Sequence, residues 1–458
     1  MFSVTSAEVI TCLPICIVFV CLSIHPDVIN ANGALKSKML LLFVFAIIMC
    51  GTVLTKDIIL FFVGIELLGI ISSIFVSIEK HTQPASCVYN YNMFASLLFL
   101  YGILNKNTEF GSWCLLTSCL CKGAQIPFSR WLLQAVHAHT FVSIFIHCVT
   151  IIGIAPICFY KFDYLFVSYH NLLTFTTILG LISAITFSVM PLFETDIKRI
   201  MAMLTISSAG IMITVCGLKY PNLGILYFIC HAFFKSIIFL MFYYYIGYYK
   251  SRDIKKFKCN HNTKILGFLA LLSSLGVPPF IASYAKLAIS NIDMPIYCKI
   301  GIILSTLFSD TVFIRLYLTC FKNKSIGQKF KLHPVWILSI ISLPIGYIAF
   351  TILHGTITLY AIIEELLIII SSYLIAKKLP IKQINIKIPK LSFQWLINLV
   401  YFFNKFIEHA YITIVYTNPY KIGNSIAILH KNSFRAHAIW IFCGFVFLAL
   451  YALIYCND

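Results

Sequence analysis

Six ionisable side chains fall inside apolar runs of this chain: Glu66 in FFVGIELLGIISS, Lys122 in SCLCKGAQIPF, His147 in FVSIFIHCVTII, His231 and Lys235 in FICHAFFKSIIF, and Lys286 in GVPPFIASYAKLAIS. A charge near the centre of a bilayer costs about 3 kcal/mol on insertion scales, so such residues persist where a pathway or a partner retains them. A lysine in low-dielectric surroundings holds its proton weakly and a nearby carboxylate restores the hold, so displacing that carboxylate drives proton release. Histidine, with a reference pKa of about 6.5, passes protons near neutral pH without a large shift. His231 and Lys235 are four residues apart and share one helix face. Together these types and spacings suit a relay that carries protons across a membrane. Structural readings stay open at this level: Lys122 and Lys286 as charges that satisfy broken-helix carbonyls, Glu66 as a partner for a base, His147 as an interhelical hydrogen-bonding group.

The elements that must position these groups are membrane helices. Of 458 residues 60% are hydrophobic and only 11% charged, and mean hydropathy is +0.92, whereas soluble domains carry about 25% charged residues. Apolar runs long enough to cross about 30 Å of hydrocarbon as helices recur along nearly the whole chain. They predict about fourteen spans, near 4–24, 39–55, 57–78, 87–104, 112–137, 140–160, 168–192, 197–217, 222–248, 265–292, 298–321, 334–353, 356–376 and 436–455. Those at 112–137 and 265–292 are broken by proline. A proline inside a membrane helix frees backbone groups that must find other partners. Lys122 precedes Pro127 in the first break and Lys286 follows Pro279 in the second. That reversed order predicts two inverted halves with discontinuous helices near the midplane.

Net charge is +18, which in a soluble protein would suggest nucleic acid; here its distribution reports topology, and no nucleic-acid partner is expected. Alternate loops on one side carry Lys36, Lys38, Lys80, Lys198, Arg199, six basic residues from Lys250 to Lys264, four from Lys322 to Lys331 and nine from Lys377 to Arg435. The other side carries only Lys56, Lys106, Lys161, Lys219 and Lys299, as expected when basic loops stay on the side that does not translocate. The segment 389–432, apolar but interrupted by Lys405, Glu408, His409, Pro419 and Lys421, fits an amphipathic helix lying on the basic face.

The 17 cysteines lie mostly within apolar runs and read as small packing residues rather than metal ligands. No GxGxxG, P-loop, CxxC or Ser-His-Asp arrangement occurs, so the sequence offers no dinucleotide site and no hydrolytic centre. Asp310 and Arg315 read as a structural ion pair, and Glu194, Asp196, Lys198 and Arg199 as a solvated cluster at a span edge. The N-terminal MFSVTSAEVITCLP runs directly into a span without an Arg-rich amphipathic stretch or a small-residue cleavage pattern, so insertion without processing is expected.

At KGAQIPFSRWLLQAVHAHTFVSIFIHCVTII, residues 122–152, the chain resembles the antiporter-like membrane subunits of respiratory complex I (mitochondrial NADH:ubiquinone oxidoreductase), those of the chain 5 type in particular. The resemblance continues through Glu66, Gly69 and Ser72, through FETDIKRIMAMLTISSAG at 193–210, through HAFFK at 231–235 and SRDIKKF at 251–257, and through the broken helix with Pro278 and Lys286. A long amphipathic segment followed by one last span favours chain 5 over its shorter relatives. The chain departs from the family's pattern at Leu133, His139 and Phe141, where the family has prolines, and at Leu287, where an acid is common. It also shows no acid within 87–104.

The resemblance implies an all-α polytopic protein of two inverted five-helix repeats, with a lateral amphipathic helix and a terminal anchor helix. Its expected parts are 1–38 (one helix, with about two family helices missing before it), 39–160 and 168–321 (the repeats), 334–376 (two additional helices), 385–432 (the lateral helix) and 436–455 (the anchor). Glu66 and Lys122 would form the first-half acid–lysine pair, His147, His231 and Lys235 the central polar axis, and Lys286 the outer exit. The implied activity is proton translocation in the inner mitochondrial membrane, with the basic loops and lateral helix on the matrix side and both termini on the intermembrane-space side. NADH, FMN, iron–sulfur clusters and ubiquinone would reside in other subunits, with no cofactor or metal in this chain. Implied partners are neighbouring membrane-arm subunits along the lateral helix, and lipids, cardiolipin among them, at the basic face. The alternative activity is that of a sodium/proton antiporter subunit.

Overall fold

The computed structural model describes residues 5–29, 34–167, 170–257, 261–321, 333–353 and 355–378. Eleven of the described helices are long and apolar enough to cross a membrane, two proline-broken helices lie between them, and the described residues contain no strand. The lateral segment 385–432 and the span 436–455 expected from sequence lie outside the described residues, as does the loop 322–332.

Helix α1 (Ser6–Ser23) opens on a capping box in which the Thr5 side chain accepts from Glu8 N and the Glu8 carboxylate accepts from Thr5 N, so orphan amides at that end are satisfied. A short α2 (Pro26–Ile29) leads to α3 (Ala34–Leu54). Asp57 then caps α4 (Ile58–Ile78) by accepting from Ile59 N and Leu60 N, and α5 (Thr82–Leu104) follows. Thr108 caps α6 (Glu109–Lys122). At its end Gly123 and Ala124, whose φ is 55°, turn the chain into a cis Ile126–Pro127 peptide before α7 (Arg130–Ala135). The backbone freed here finds side chains: Ile126 N donates to Ser183 Oγ at 3.1 Å, and Trp131 Nε1 donates to the Cys121 carbonyl at 2.8 Å.

The span expected as one helix over 140–160 is itself interrupted, which is a correction to the sequence reading. It comprises α8 (Thr140–Ile144), a π-helical turn at Phe145–Val149, a 3₁₀ turn at Ile151–Gly153, and α9 (Ile154–Lys161). Pro156 has no amide to offer the carbonyl one turn earlier, and the Thr150 hydroxyl donates to the Phe145 carbonyl at 3.0 Å. His147 lies in the π turn, a form of helix often found at functional sites.

After a single turn, α10 (Tyr164–Val167), come α11 (His170–Val189), α12 (Ile197–Gly217, capped by Asp196) and α13 (Pro221–Tyr249, with proline at its first position). The second broken helix joins α14 (His261–Leu275) to α15 (Ile281–Ser290) through Gly276, at φ 81°, and a cis Pro278–Pro279 peptide. Then follow α16 (Ile296–Phe321), α17 (His333–Ile352) and α18 (Leu359–Lys378).

Five crossings from α3 to α9 are followed by five from α11 to α16, with the broken helix fourth in each set. An odd number of crossings reverses the direction of equivalent helices, which is the inverted arrangement expected from sequence. The span 140–161, α12 and α13 are each fully buried across an 18-residue apolar stretch. Over those stretches they are buried on every side and form the centre of the bundle. Helices α11 and α12 touch at Gly180 and Gly210, where a Cβ on either would come within 2.8 Å or 2.6 Å of the other's carbonyl oxygen. Close approach through small residues is how membrane helices gain contact without a hydrophobic driving force.

Candidate functional site

The first group joins three helices. Lys122, the last residue of α6, donates from Nζ to Glu66 Oε1 on α4 at 3.3 Å, to the Ile65 carbonyl at 3.3 Å and to Ser96 Oγ on α5 at 2.9 Å. The Lys122 and Glu66 side chains are only 1% and 7% exposed. Ser96 in turn donates to the Asn92 carbonyl, and Gly69 allows the close approach, since a Cβ there would sit 3.0 Å from Asn92 Cβ. Neutral Asn92 and Ser96 therefore line α5 in the stretch where the sequence shows no acid. Their four-residue spacing was the signal that sequence reading passed over.

The central group is built on α13 against the π turn. His147 stacks on Phe239, with ring centroids 5.9 Å apart, and neither of its buried nitrogens has a hydrogen-bond partner among the described residues. Lys198 and Lys235 both lie within electrostatic reach of it. His231 packs edge-on to Phe234 and lies near His147, Lys235 and the Cys148 main chain. Lys235 is fully buried. Its Nζ lies 3.5 Å from the Met201 carbonyl on α12 and 5.2 Å above the Phe313 ring. Among the described residues no carboxylate pairs with it, unlike Lys122 and Lys286.

The third group is richer than expected. Lys286 on α15 donates to Asp310 Oδ1 and Oδ2 on α16 at 3.0 and 2.9 Å, to Glu365 Oε1 on α18 at 2.8 Å, and to the Leu275 carbonyl at the end of α14 at 2.8 Å. The Asp310–Arg315 pair expected from sequence is not formed. Five residues of helix leave two side chains about 140° apart, and Arg315 donates from Nη1 to the Leu192 carbonyl instead. Tyr227 connects this group to the centre. Spaced four residues from His231 and eight from Lys235, it shares their face of α13. It bonds with Ser208 and lies within electrostatic reach of Lys286, Asp310 and Glu365. Tyr227, Asp310 and Glu365 were all missed as site residues, because their partners are distant in sequence.

At the other end of the axis, Lys198 is not part of a solvated edge. It is buried and donates from Nζ to the Ala138 carbonyl at 2.9 Å and the Val136 carbonyl at 3.4 Å. The α7–α8 connection presents those carbonyls to α12, which is why the side chain turns inward. The rest of that cluster stays at the edge, with Arg199 paired to Glu194 at 3.3 Å. His139, in the same connection, is pushed down to about 4 by burial, with Lys38 and Lys198 adding to the effect and Glu79 opposing it. Lys38 and Glu79 are themselves bonded at 2.5 Å. The structure thus brings Glu66 to Lys122 and gathers His147, His231 and Lys235, while Lys286 heads a separate group reached through Tyr227. Among the described residues no three His, Cys, Asp or Glu side chains converge as a metal site.

Residues 104–311 match the family described as NADH:quinone oxidoreductase/Mrp antiporter, transmembrane. Among curated proteins, the NADH-ubiquinone oxidoreductase chain 5 of Trichophyton rubrum is 26% identical over 360 residues, covering 68% of this chain and 55% of that protein. The NADH-quinone oxidoreductase subunit L of Rickettsia felis is 32% identical over 182 residues, 38% of this chain and 28% of that one. The chain spans about half the length, or less, of the curated relatives it matches. Among solved structures, the Mrp complex from Dietzia sp. DQ12-45-1b contains a chain similar over 98% of this one and 55% of that one, with a TM-score of 0.71 and 16% identity. A chain of an archaeal membrane-bound sulfane sulfur reductase has a TM-score of 0.65 and 15% identity over 81% of this chain and 84% of that one. These two likenesses establish the fold.

Proposed function

We propose, for a chain whose residues 104–311 match the NADH:quinone oxidoreductase/Mrp antiporter transmembrane family, that it is a proton-translocating membrane-arm subunit of a respiratory NADH:ubiquinone oxidoreductase. The observation that carries this reading is the row of buried titratable groups running from Lys198 through His147, His231 and Lys235 to Tyr227 and Lys286, with Glu66–Lys122 in the other half. Buried imidazoles without protein partners are where internal water would complete such a row. Residues 39–160 and 168–321 are the two repeats and 334–376 the additional helices.

Each group has a distinct part. Lys122 is an ammonium held by Glu66, so movement of the Glu66 charge loosens its proton toward the centre. Lys235, which pairs with no carboxylate among the described residues, is the central group that passes the proton between the two halves. The Lys286 group receives the proton on Glu365, one of the two carboxylates that hold the ammonium. The basic face is the matrix side of the mitochondrial inner membrane, and Lys198 and His139 lie at that end of the axis. Energy enters from partner subunits that hold NADH, FMN, iron–sulfur clusters and ubiquinone, with neighbouring antiporter-like subunits beside this chain and cardiolipin at the basic face.

A sodium/proton antiporter subunit is the rival reading. Purifying the tagged full chain from its native membranes separates the two. The expected result is a large assembly with flavin and iron–sulfur absorbance and NADH:ubiquinone activity. Recovery in an assembly without redox centres that exchanges sodium for protons would overturn the proposal.

A further inference from the structure

Beside the Lys286 group, a cleft is lined by Tyr227, Lys286, Ser290, Lys299, Glu364 and Glu365, with apolar side chains between them. It lies toward the end of the bundle where α16 and α18 begin, an end tied together by Asn291, which donates to the Thr356 carbonyl and accepts from the Thr358 hydroxyl. Glu365 bonds Lys286 inside the protein. Glu364, its neighbour in α18, keeps Oε2 3.6 Å from Lys299 Nζ. That atom is buried and has no hydrogen-bond partner among the described residues. Lys299 sits over the Tyr360 ring at 4.8 Å and is 29% exposed. Glu364 lies about 8 Å along the helix from the start of α18 at a rise of about 1.5 Å per residue, so the ladder runs from the Lys286 group toward the helix ends.

Three carboxylates, Asp310, Glu365 and Glu364, share this region with two ammonium groups, Lys286 and Lys299. The set is electrically neutral when one carboxyl carries a proton, which is the condition for holding a single transferable proton away from water. We infer that Glu365 and Glu364 form a two-carboxyl release path from the Lys286 group to the surface, with the Glu364–Lys299 contact as its outer latch. The inference rests on the proton-translocation reading and adds that α18, outside both repeats, supplies the acids on which release depends. In the transfer, the O–H bond at Glu365 breaks and one forms at Glu364. Glu364 then gives that proton to water at the cleft mouth and its carboxylate pairs again with Lys299. Lys286 remains an ammonium throughout, held by Asp310.

The experiment uses the assembled complex in sealed liposomes and measures protons released per electron and the rate of that release. A positioned acid or base contributes about 10²-fold or more, so Glu364→Gln is expected to slow coupled release by about that factor. Glu364→Asp is expected to restore most of it, and the thermal midpoint of the complex is expected to stay at the wild-type value. Lys122→Ala is measured in parallel. If Lys122→Ala uncouples the complex while Glu364→Gln and Glu365→Gln pump normally, the release path is wrong and the translocation reading stands. If Lys122→Ala also pumps normally, the underlying reading falls and the release path with it. Slowed release with a lowered thermal midpoint and no rescue by aspartate would assign Glu364 a structural role and overturn the inference.

Discussion

Replacing Lys122 with alanine is expected to abolish the share of proton pumping that passes through this chain while electron transfer from NADH to quinone continues. The substitution removes the ammonium that Glu66, Ser96 and the Ile65 carbonyl together hold. It also leaves Glu66 as a buried, unpaired carboxylate, and losing one partner of a buried pair costs about 3–5 kcal/mol. A lowered thermal midpoint therefore accompanies the lost pumping, and the two effects must be separated. Glu66→Gln with Lys122→Ala removes the stranded charge and is expected to recover most of the stability. The double variant would remain unable to pump, because the relay still lacks its lysine. Measuring the thermal midpoint and the proton-to-electron ratio for both variants checks this. A ratio restored together with the stability would mean that Lys122 only holds the helices together.

Asp310→Ala is the second large effect. It deletes both Asp310 bonds to Lys286 and leaves the lysine with Glu365 and the Leu275 carbonyl. Hydrogen bonds to charged groups contribute about 1.5–3 kcal/mol each, so a destabilisation of several kcal/mol is expected, together with loss of coupled release. Asp310→Asn keeps the shape and one acceptor, so most of the stability should return. Pumping should not, since without the Asp310 charge Glu365 must stay ionised to hold Lys286 and takes up no proton. Arg315 is unaffected in either variant because its bond runs to Leu192 and not to Asp310. A wild-type proton ratio in Asp310→Asn would show that the group serves only as an ion pair.

How far the sequence revealed this arrangement depends on the range of the interactions. Apolar runs fixed the spans, because hydrocarbon thickness sets helix length and every backbone group must be satisfied within it. Prolines marked the two interruptions beside Lys122 and Lys286, and the buried acid and bases stood out against apolar neighbours. The third interruption was legible only in part: Pro156 is visible, but the π turn that carries His147 depends on how Thr150 rebonds the Phe145 carbonyl. Interactions between distant segments were not legible. Asp310 was assigned to the nearest base in sequence, Arg315, and Glu365 was passed over as one of two acids near the start of a span. Lys198 was counted with its charged neighbours, although the α7–α8 connection draws it inward. His139, which stands where the resembled family has proline, lies beside Lys38, Glu79 and Lys198. Only the fold shows that this departure places another titratable group at the basic end of the axis.

The central claim is that a proton crosses the middle of the bundle by way of Lys235, and the most direct test is the number of protons translocated per electron by the assembled complex carrying Lys235→Met. Methionine matches the apolar stem of lysine and fits between Phe313 and the Met201 carbonyl, so the helices should pack as before. A ratio that falls while NADH oxidation and assembly persist is the expected result, and an unchanged ratio would contradict the account.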